Sequence, residues 1–430
     1  GVADYPVLEV ENFGPVKRAK IELRPLTVLL GKNNTGKSFL ASLVYVLGRY
    51  IHPPDYIGLA GHYSMEEAIK IIREDIVNSG KRAISYLAEN PESLVRWGAK
   101  EAEIKISWRG FELSIAIKGQ GDVHVEADIP EKLIKRVKEI ELDIERPLRI
   151  ELYEEYWQPA LWEPKTMPYR PVYLLAERAG LLRIYRPLLI VYLRTSVPEL
   201  LPRRLASLME QVESGMKLPR LAADFISDVL LTEPVHDKTF SDIFELLERL
   251  MEGHVELTEE LEIIYKTRGY AISLDKSSSL IAELAPFYLI LKRIRPGRSI
   301  IIEEPEAHVH PAGQVMLSRI FTRLVRKGTP VFITTHSTLI PIALAHLVGL
   351  SGLSPESREE LGYTRDEYLR PEELGIYWLR WDGDGSVAEE VKVKPEGVLE
   401  GLPEMDKVID DLYGEEAKIL ELSALASRAS

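Results

Sequence analysis

The run Gly31-Lys32-Asn33-Asn34-Thr35-Gly36-Lys37-Ser38 has residue types and spacing that suit the holding of phosphate. Gly31 and Gly36 let the backbone come close to anionic oxygens, so successive N–H groups from Asn33, Asn34 and Thr35 through to Phe39 can wrap a β-phosphate. Lys37 brings a mobile positive charge for the β- and γ-phosphates, and the Ser38 hydroxyl can ligate Mg²⁺. Such a loop works only between a buried strand and a helix. The apolar run ending at Leu30 supplies the strand, and Phe39, Leu40, Leu43, Val44 and Leu47 recur at helical spacing after it. The helix that starts near Gly36 adds its positive dipole end.

A second stretch supplies acids. Ser299-Ile300-Ile301-Ile302 reads as a buried strand that ends in Glu303 and Glu304. The strand is expected directly beside the phosphate-loop strand, so that Glu303 reaches the Mg²⁺ shell. Glu304 is then placed to orient and deprotonate an attacking water. A third buried strand, Pro330–Thr334, runs into Thr335-His336-Ser337, where His336 can sense the γ-phosphate edge. The alternative for each pair is structural: exposed acids after a core strand, and a packed histidine.

Other elements must carry these residues. Val7–Val10 and Ala19–Leu23 read as a hairpin around Asn12-Phe13-Gly14-Pro15. Glu103–Trp108 and Phe111–Ile117 alternate around Arg109-Gly110, a two-residue turn. Helices are expected over Glu66–Ile76, Arg82–Leu87, Glu131–Ile140, Leu280–Leu291, Gln314–Val325 and Ile340–Val348. Further strands are expected at His124–Asp128, Leu148–Leu152 and Val172–Leu175, and a meander between His254 and Leu274. The tail reads as a hairpin, Ile376–Arg380 to Val391–Val393, and then a helical stretch from Glu404.

Composition narrows the class. The chain of 430 residues is 45% apolar and 28% charged, which gives a globular protein with a sizeable core. No apolar run reaches the length of a membrane span and no basic-then-apolar leader opens the chain, so a cytoplasmic location is expected. No cysteine is present, which removes disulfides and thiolate metal sites and, with abundant Glu, Arg and Lys, fits a thermophile. The net charge of −13 argues against wholesale coating of nucleic acid. Basic clusters nevertheless stand at Arg178–Arg204 and at Lys292-Arg293-Ile294-Arg295 with Arg298, either as phosphate-contacting patches or as solvated helix faces.

The combination of Gly31–Ser38, Glu303–Glu306 with His308–Pro311, and Thr335–Ser337 resembles the ABC-type ATPase heads of the SMC-like group, which includes OLD-type ATPases. Leu8–Pro15 resembles the first strand of that group, and Tyr173–Gly180 a strand-plus-arginine element found in many members. The resemblance implies an α/β P-loop fold with a mixed sheet flanked by helices and an inserted, largely helical lobe. It implies an ATPase head from residues 1–52 and 253–350, a lobe with a β-hairpin at 53–252, and a hairpin and helical tail at 351–430. ATP and Mg²⁺ are the implied cofactors, with Ser38 and Glu303 at the metal, Lys37, Glu304 and His336 at the reacting phosphate.

The resemblance also implies a signature motif that contacts ATP held by a second copy of the chain. Ser277-Ser278-Ser279 matches its position, with Ser279 where glycine is usual; a plain helix N-cap is the competing reading. Glu303 is a second departure, since Asp is commoner there. Gln120 and Gln158 are candidates for the family's Q-loop, and Arg178 faces either the nucleotide, a partner or a surface salt bridge. Glu306, His308 and His310 could bind zinc, or could form the segment that touches the facing subunit.

The implied function is a nucleotide-driven switch, a homodimer with ATP at its interface, in DNA maintenance or phage defence. Its implied partners are DNA or a protein such as a nuclease, with no membrane. The alternatives are an OLD-type nuclease effector, for which Asp382 and Asp384 are the acids to examine, and a scaffold that holds ATP without turnover.

Overall fold

The computed structural model describes residues 5–51, 65–130, 171–184, 220–235, 238–400, 413–416 and 418. In chain order its strands are β1 (Val7–Phe13), β2 (Val16–Glu22), β3 (Leu26–Gly31), β4 (Glu101–Trp108), β5 (Phe111–Lys118), β6 (Val123–Asp128) and β7 (Val172–Leu174). They continue with β8 (Gly253–Leu257), β9 (Ile263–Thr267), β10 (Tyr270–Ser273), β11 (Ile300–Glu303), β12 (Val331–Thr335), β13 (Leu374–Asp382) and β14 (Gly385–Glu390). The helices that matter here are α1 (Lys37–Tyr50), α2 (Met65–Leu87), α3 (Arg220–Leu230), α4 (Ser241–Met251), α5 (Ser279–Leu291), α6 (Pro311–Arg326) and α7 (Leu339–Gly349).

Eleven strands form one sheet in the order β6-β5-β4-β1-β2-β14-β13-β3-β12-β11-β7. From β13 to β7 every neighbour is parallel, and from β6 to β2 every neighbour is antiparallel. This is the mixed α/β architecture expected from the sequence. The parallel strands are apolar on both faces because both faces are covered. Tyr173, Ile301, Phe332 and Leu29 pack on the α1 side, while Leu174, Ile300, Ile302, Ile333 and Val28 join α3 to α7 on the other. Each such aliphatic side chain contributes roughly 1.5–3 kcal/mol by leaving water.

The acidic strand is not beside the phosphate-loop strand, as the sequence reading had it. β12 lies between them, pairing with β11 on one side and β3 on the other. The cause is the β11–α6–β12 crossover, which sets β12 against its predecessor and leaves its free edge for β3. The register keeps the strand ends level: Glu303 stands opposite Thr334, and Thr334 opposite Leu29.

Three further differences have local reasons. The helices expected on either side of Gly80 are one helix, α2, because Gly80 is a close-approach residue and not a stop: a Cβ there would meet Val125 Cγ1 of β6 at 2.8 Å. Strands β4 to β6, which fall in the 53–252 segment, extend the main sheet from β1, and β7 closes its far edge. The tail hairpin pairs β13 with Gly385–Glu390, and of the expected Val391–Val393 only Val391 extends it, donating to the Ile376 carbonyl at 2.8 Å; Gly383, at φ 67, permits the tight turn. The helix and strand expected at 131–140 and 148–152 lie outside the described residues, as does most of the stretch after Glu404.

Candidate active site

The C-terminal ends of β3, β12 and β11 bring the three motifs together. After β3 the chain turns through Asn34, at φ 64, and Gly36, at φ 94, before α1 begins. No side chain caps α1, so its first N–H groups are left for an anion. Gly31 is required by space, and Gly36 by space as well as by angle. A Cβ at Gly31 would lie 2.4 Å from the Leu379 carbonyl of β13, and one at Gly36 would lie 2.5 Å from Val16 Cγ2. Lys32, Asn33, Asn34, Ser38 and Phe39 are exposed around a buried Thr35, Gly36 and Lys37. Phe39 meets Phe13 edge to face at 6.0 Å, which ties the start of α1 to the β1–β2 turn.

Lys37 folds back across the loop and donates to the carbonyls of Gly31 at 2.8 Å and Lys32 at 2.7 Å. Burial pulls its ammonium down to about 8, against the opposing pull of Glu304, Glu306 and Glu303. His336 sits beside it. His336 Nδ1 lies 2.8 Å from the Gly31 carbonyl and Nε2 lies 2.8 Å from Glu304 Oε1. One ring thus joins the phosphate loop to the acid that follows β11. Glu306 holds the ring's backbone: its Oε1 accepts from the N–H of His336 at 2.7 Å and of Ser337 at 3.2 Å. Glu304 adopts φ 45, a left-handed conformation that costs a side chain energy and turns the carboxylate out of the strand line.

Glu303 is only 5% exposed. Its Oε1 accepts from the Tyr173 hydroxyl at 2.8 Å and its Oε2 from the Ala176 N–H at 3.1 Å. These donors come from β7 and its exit, and the sequence reading did not single them out. Tyr173 was legible as part of a short apolar strand and of the Tyr173–Gly180 element, with no role of its own.

Arg178 is buried, at 2% exposure, so the surface salt bridge is excluded. Its guanidinium donates to the carbonyls of Leu175 at 3.0 Å, Glu303 at 2.7 Å, Glu304 at 3.2 Å and Glu283 at 3.1 Å, and pairs with the Glu283 carboxylate at 2.9 Å. Burial pulls the Arg178 guanidinium down and pushes the Glu283 carboxyl up, and each is opposed by the charge of the other. Arg178 therefore ties the exit of β7 and the end of β11 to α5.

Ser278 is the N-cap of α5, where its hydroxyl accepts from the Ile281 N–H at 3.4 Å. Ser279 opens the helix, and Ser277 Oγ donates to the Leu274 carbonyl. Of the Q-loop candidates, Gln120 lies in the β5–β6 turn of the antiparallel wing, across the sheet from β7, and Gln158 lies outside the described residues. Ser386, which no sequence signal marked, donates from β14 to the Thr35 carbonyl at 2.6 Å and braces the phosphate loop.

The remaining candidates are engaged elsewhere. His310 caps α6 and His308 adopts φ 58 in the turn before it; among the described residues no group of three or more His, Cys, Asp or Glu stands close enough for a metal alone. Asp382 pairs with Lys17 and Asp384 with Arg96. Arg293 is buried and donates to the Thr232 and Leu289 carbonyls, and Arg298 pairs with Asp228, so two cations of the Lys292–Arg298 cluster serve the core. Among the described residues no helix is long and apolar enough to cross a membrane.

The family model described as "AAA domain, putative AbiEii toxin, Type IV TA system" matches residues 26–343. The chain belongs to this family. The match runs from the phosphate loop through His336, so this AAA-family chain is a nucleotide-binding P-loop ATPase by fold and motif. It is similar to solved SMC heads. One is an Smc head bound to the C-winged helix domain of ScpA, at 16% identity over 91% of this chain and 98% of that one, TM-score 0.46. Another is the Pyrococcus furiosus Smc head with an extended coiled coil, at 16% identity over 95% and 100%, TM-score 0.39. A third is the Thermotoga maritima SMC head domain, at 12% identity over 90% and 98%, TM-score 0.37. No curated protein matches the chain.

The residues present fit a nucleotide with its metal. An uncapped helix start meets a loop in which both glycines are space-limited, and a hydroxyl and two carboxylates stand at neighbouring strand and helix ends. Ser38 and Glu303 are the residues that would hold Mg²⁺.

Proposed function

We propose that this AAA-family protein hydrolyses ATP and uses the cycle as a switch. The reading is carried by His336, whose two ring nitrogens reach the Gly31 carbonyl and the Glu304 carboxylate. Loop, acid and histidine respond together to whatever occupies the loop.

In this reading the N–H groups at the start of α1 bind the β-phosphate, and Lys37 swings from the Gly31 and Lys32 carbonyls to the β- and γ-oxygens. Mg²⁺, when bound, neutralises charge on those oxygens. Glu304 orients water at the γ-phosphate and takes its proton, and His336 holds the carboxylate in place from the side. Tight positioning of water and phosphate supplies most of the acceleration.

We further infer that two copies close around two nucleotides, with Ser278 and Ser279 of one facing the loop of the other. Ser278 is exposed at the start of a buried helix, and α5 is joined through Glu283 and Arg178 to the carbonyl of Glu304. DNA or a partner protein reads the closure. The nuclease alternative gains no support from Asp382 and Asp384, whose carboxylates are paired with cations.

The deciding experiment is turnover of the purified chain with Glu304→Gln beside it. The expected result is measurable phosphate release, lowered in the variant by about 10²–10⁴-fold with ATP still bound. Light scattering should show that variant as a dimer with ATP. Unchanged turnover removes Glu304 from the reaction, and a monomer at saturating ATP removes the switch.

A further inference from the structure

We infer that Tyr173 is the positioning residue that fixes the Glu303 carboxylate for a metal ion. The inference rests on the ATPase reading above and adds a residue to it.

Tyr173 and Glu303 lie on adjacent parallel strands, with Tyr173 in register with Ile301 and both residues facing α1. The phenol reaches diagonally to Glu303 Oε1 at 2.8 Å, while the Ala176 N–H, two residues past β7, holds Oε2 at 3.1 Å. On its other side the hydroxyl lies 3.5 Å from Ser42 Oγ, one helical turn beyond Ser38. A phenol has one hydrogen to give. Glu303 as a carboxylate can only accept, so the phenol's hydrogen points at Glu303, and Ser42 is left as the donor to the phenol oxygen.

The ring itself is fixed. Tyr173 is 1% exposed and meets Tyr45 of α1 edge to face at 5.4 Å. Tyr45 in turn donates to Asp224 of α3 at 2.8 Å. A glutamate has one more rotatable bond than an aspartate and loses more freedom when it is ordered. Two donors on two oxygens remove that freedom before any cation arrives, and each oxygen keeps a lone pair for the cation or one of its waters. Outer partners of this kind orient a ligating carboxylate.

The test uses the full chain with ADP and Mn²⁺ in place of Mg²⁺, and reads bound Mn²⁺ by electron paramagnetic resonance. Tyr173→Phe removes only the hydroxyl. The expected result is a Kd for Mn²⁺ about 10–100-fold higher, with ADP affinity in the absence of metal unchanged. Glu303→Asp should also weaken Mn²⁺ binding, because the shorter carboxylate leaves the phenol. In the Glu303→Asp background Tyr173→Phe should then cost less than twofold, the coupling expected of a direct contact.

A Kd within twofold of the parent for Tyr173→Phe overturns the inference and leaves the ATPase reading standing. So does Mn²⁺ binding by Glu303→Asp equal to the parent's, which remains decisive if the phenylalanine variant does not fold. No bound Mn²⁺ in the unaltered chain with ADP overturns both.

Discussion

Nε2 of His336 lies 2.8 Å from Oε1 of Glu304, while Nδ1 of the same ring lies 2.8 Å from the carbonyl oxygen of Gly31. A carbonyl only accepts, so Nδ1 is the nitrogen that donates to Gly31, and Nε2 is left to face the carboxylate oxygen of Glu304. The ring therefore has no spare orientation. His336→Ala is expected to lower turnover by about 10²-fold or more, at the low end of what a positioned acid–base group contributes. Nucleotide affinity should change little, since Lys37 and the α1 N–H groups remain. Single-turnover kinetics separates the two; a loss confined to ATP affinity contradicts the pairing.

Lys37 sets a pH limit on binding. Burial holds its ammonium at about 8, and phosphate contact favours the charged form. Binding therefore takes up a proton, and affinity is greatest below pH 8 and falls as pH rises through it. Between pH 7 and pH 9 the Kd for ATP is expected to rise about tenfold by linkage. Lys37→Arg keeps its charge throughout and should flatten the profile, whatever it does to the absolute affinity. A fluorescent nucleotide titrated across this range gives the answer directly.

Arg178 carries stability. Removing it as Arg178→Met leaves the Glu283 carboxylate buried without its cation, at a cost of about 3–5 kcal/mol. The double change with Glu283→Leu should recover only part, because the carbonyls of Glu303 and Glu304 still lose a donor. Glu283 already has a raised folded value, so it binds protons more readily folded than unfolded. Acid therefore favours the folded variant, and the gap from the parent should narrow as pH falls. Urea denaturation at two pH values checks both, and a widening gap in acid would falsify the account.

Gly36→Ala tests the loop itself. The residue sits at φ 94, and its new Cβ would meet Val16 Cγ2 at 2.5 Å. Strain and overpacking together should destabilise the protein by about 1–3 kcal/mol. Gly180→Ala, in a helix where nothing lies within 4 Å of the added carbon and φ is not positive, is the control, expected to leave melting unchanged or raise it.

How legible was all this? The phosphate loop, the two acids and His336 could be read because each sits at the end of a buried strand, and a run of apolar residues announces such a strand without any partner. Strand order could not be read that way: Ile300–Ile302 and Val331–Ile333 are equally apolar, and only the crossover through α6 decides which of them touches β3. Arg178 stayed open between the nucleotide, a partner and a surface salt bridge because its partners are mainly backbone carbonyls, which carry no sequence signal. Tyr173 and Ser386 were missed for a related reason. Their partners, Glu303 and Thr35, lie far along the chain, and nothing local distinguishes a packing tyrosine from one that holds a carboxylate.

β2 and β3 follow one another in sequence, yet β14 and β13 stand between them in the sheet. On a ribosome, which releases the N-terminal part first, the phosphate loop emerges early and then waits. One flank arrives only with β12, and the other only when β13 has pairs for Leu26 to Gly31 and Ser386 can reach Thr35. Contacts this distant in sequence form late. A half-made chain therefore lacks both of the flanks that brace the phosphate loop.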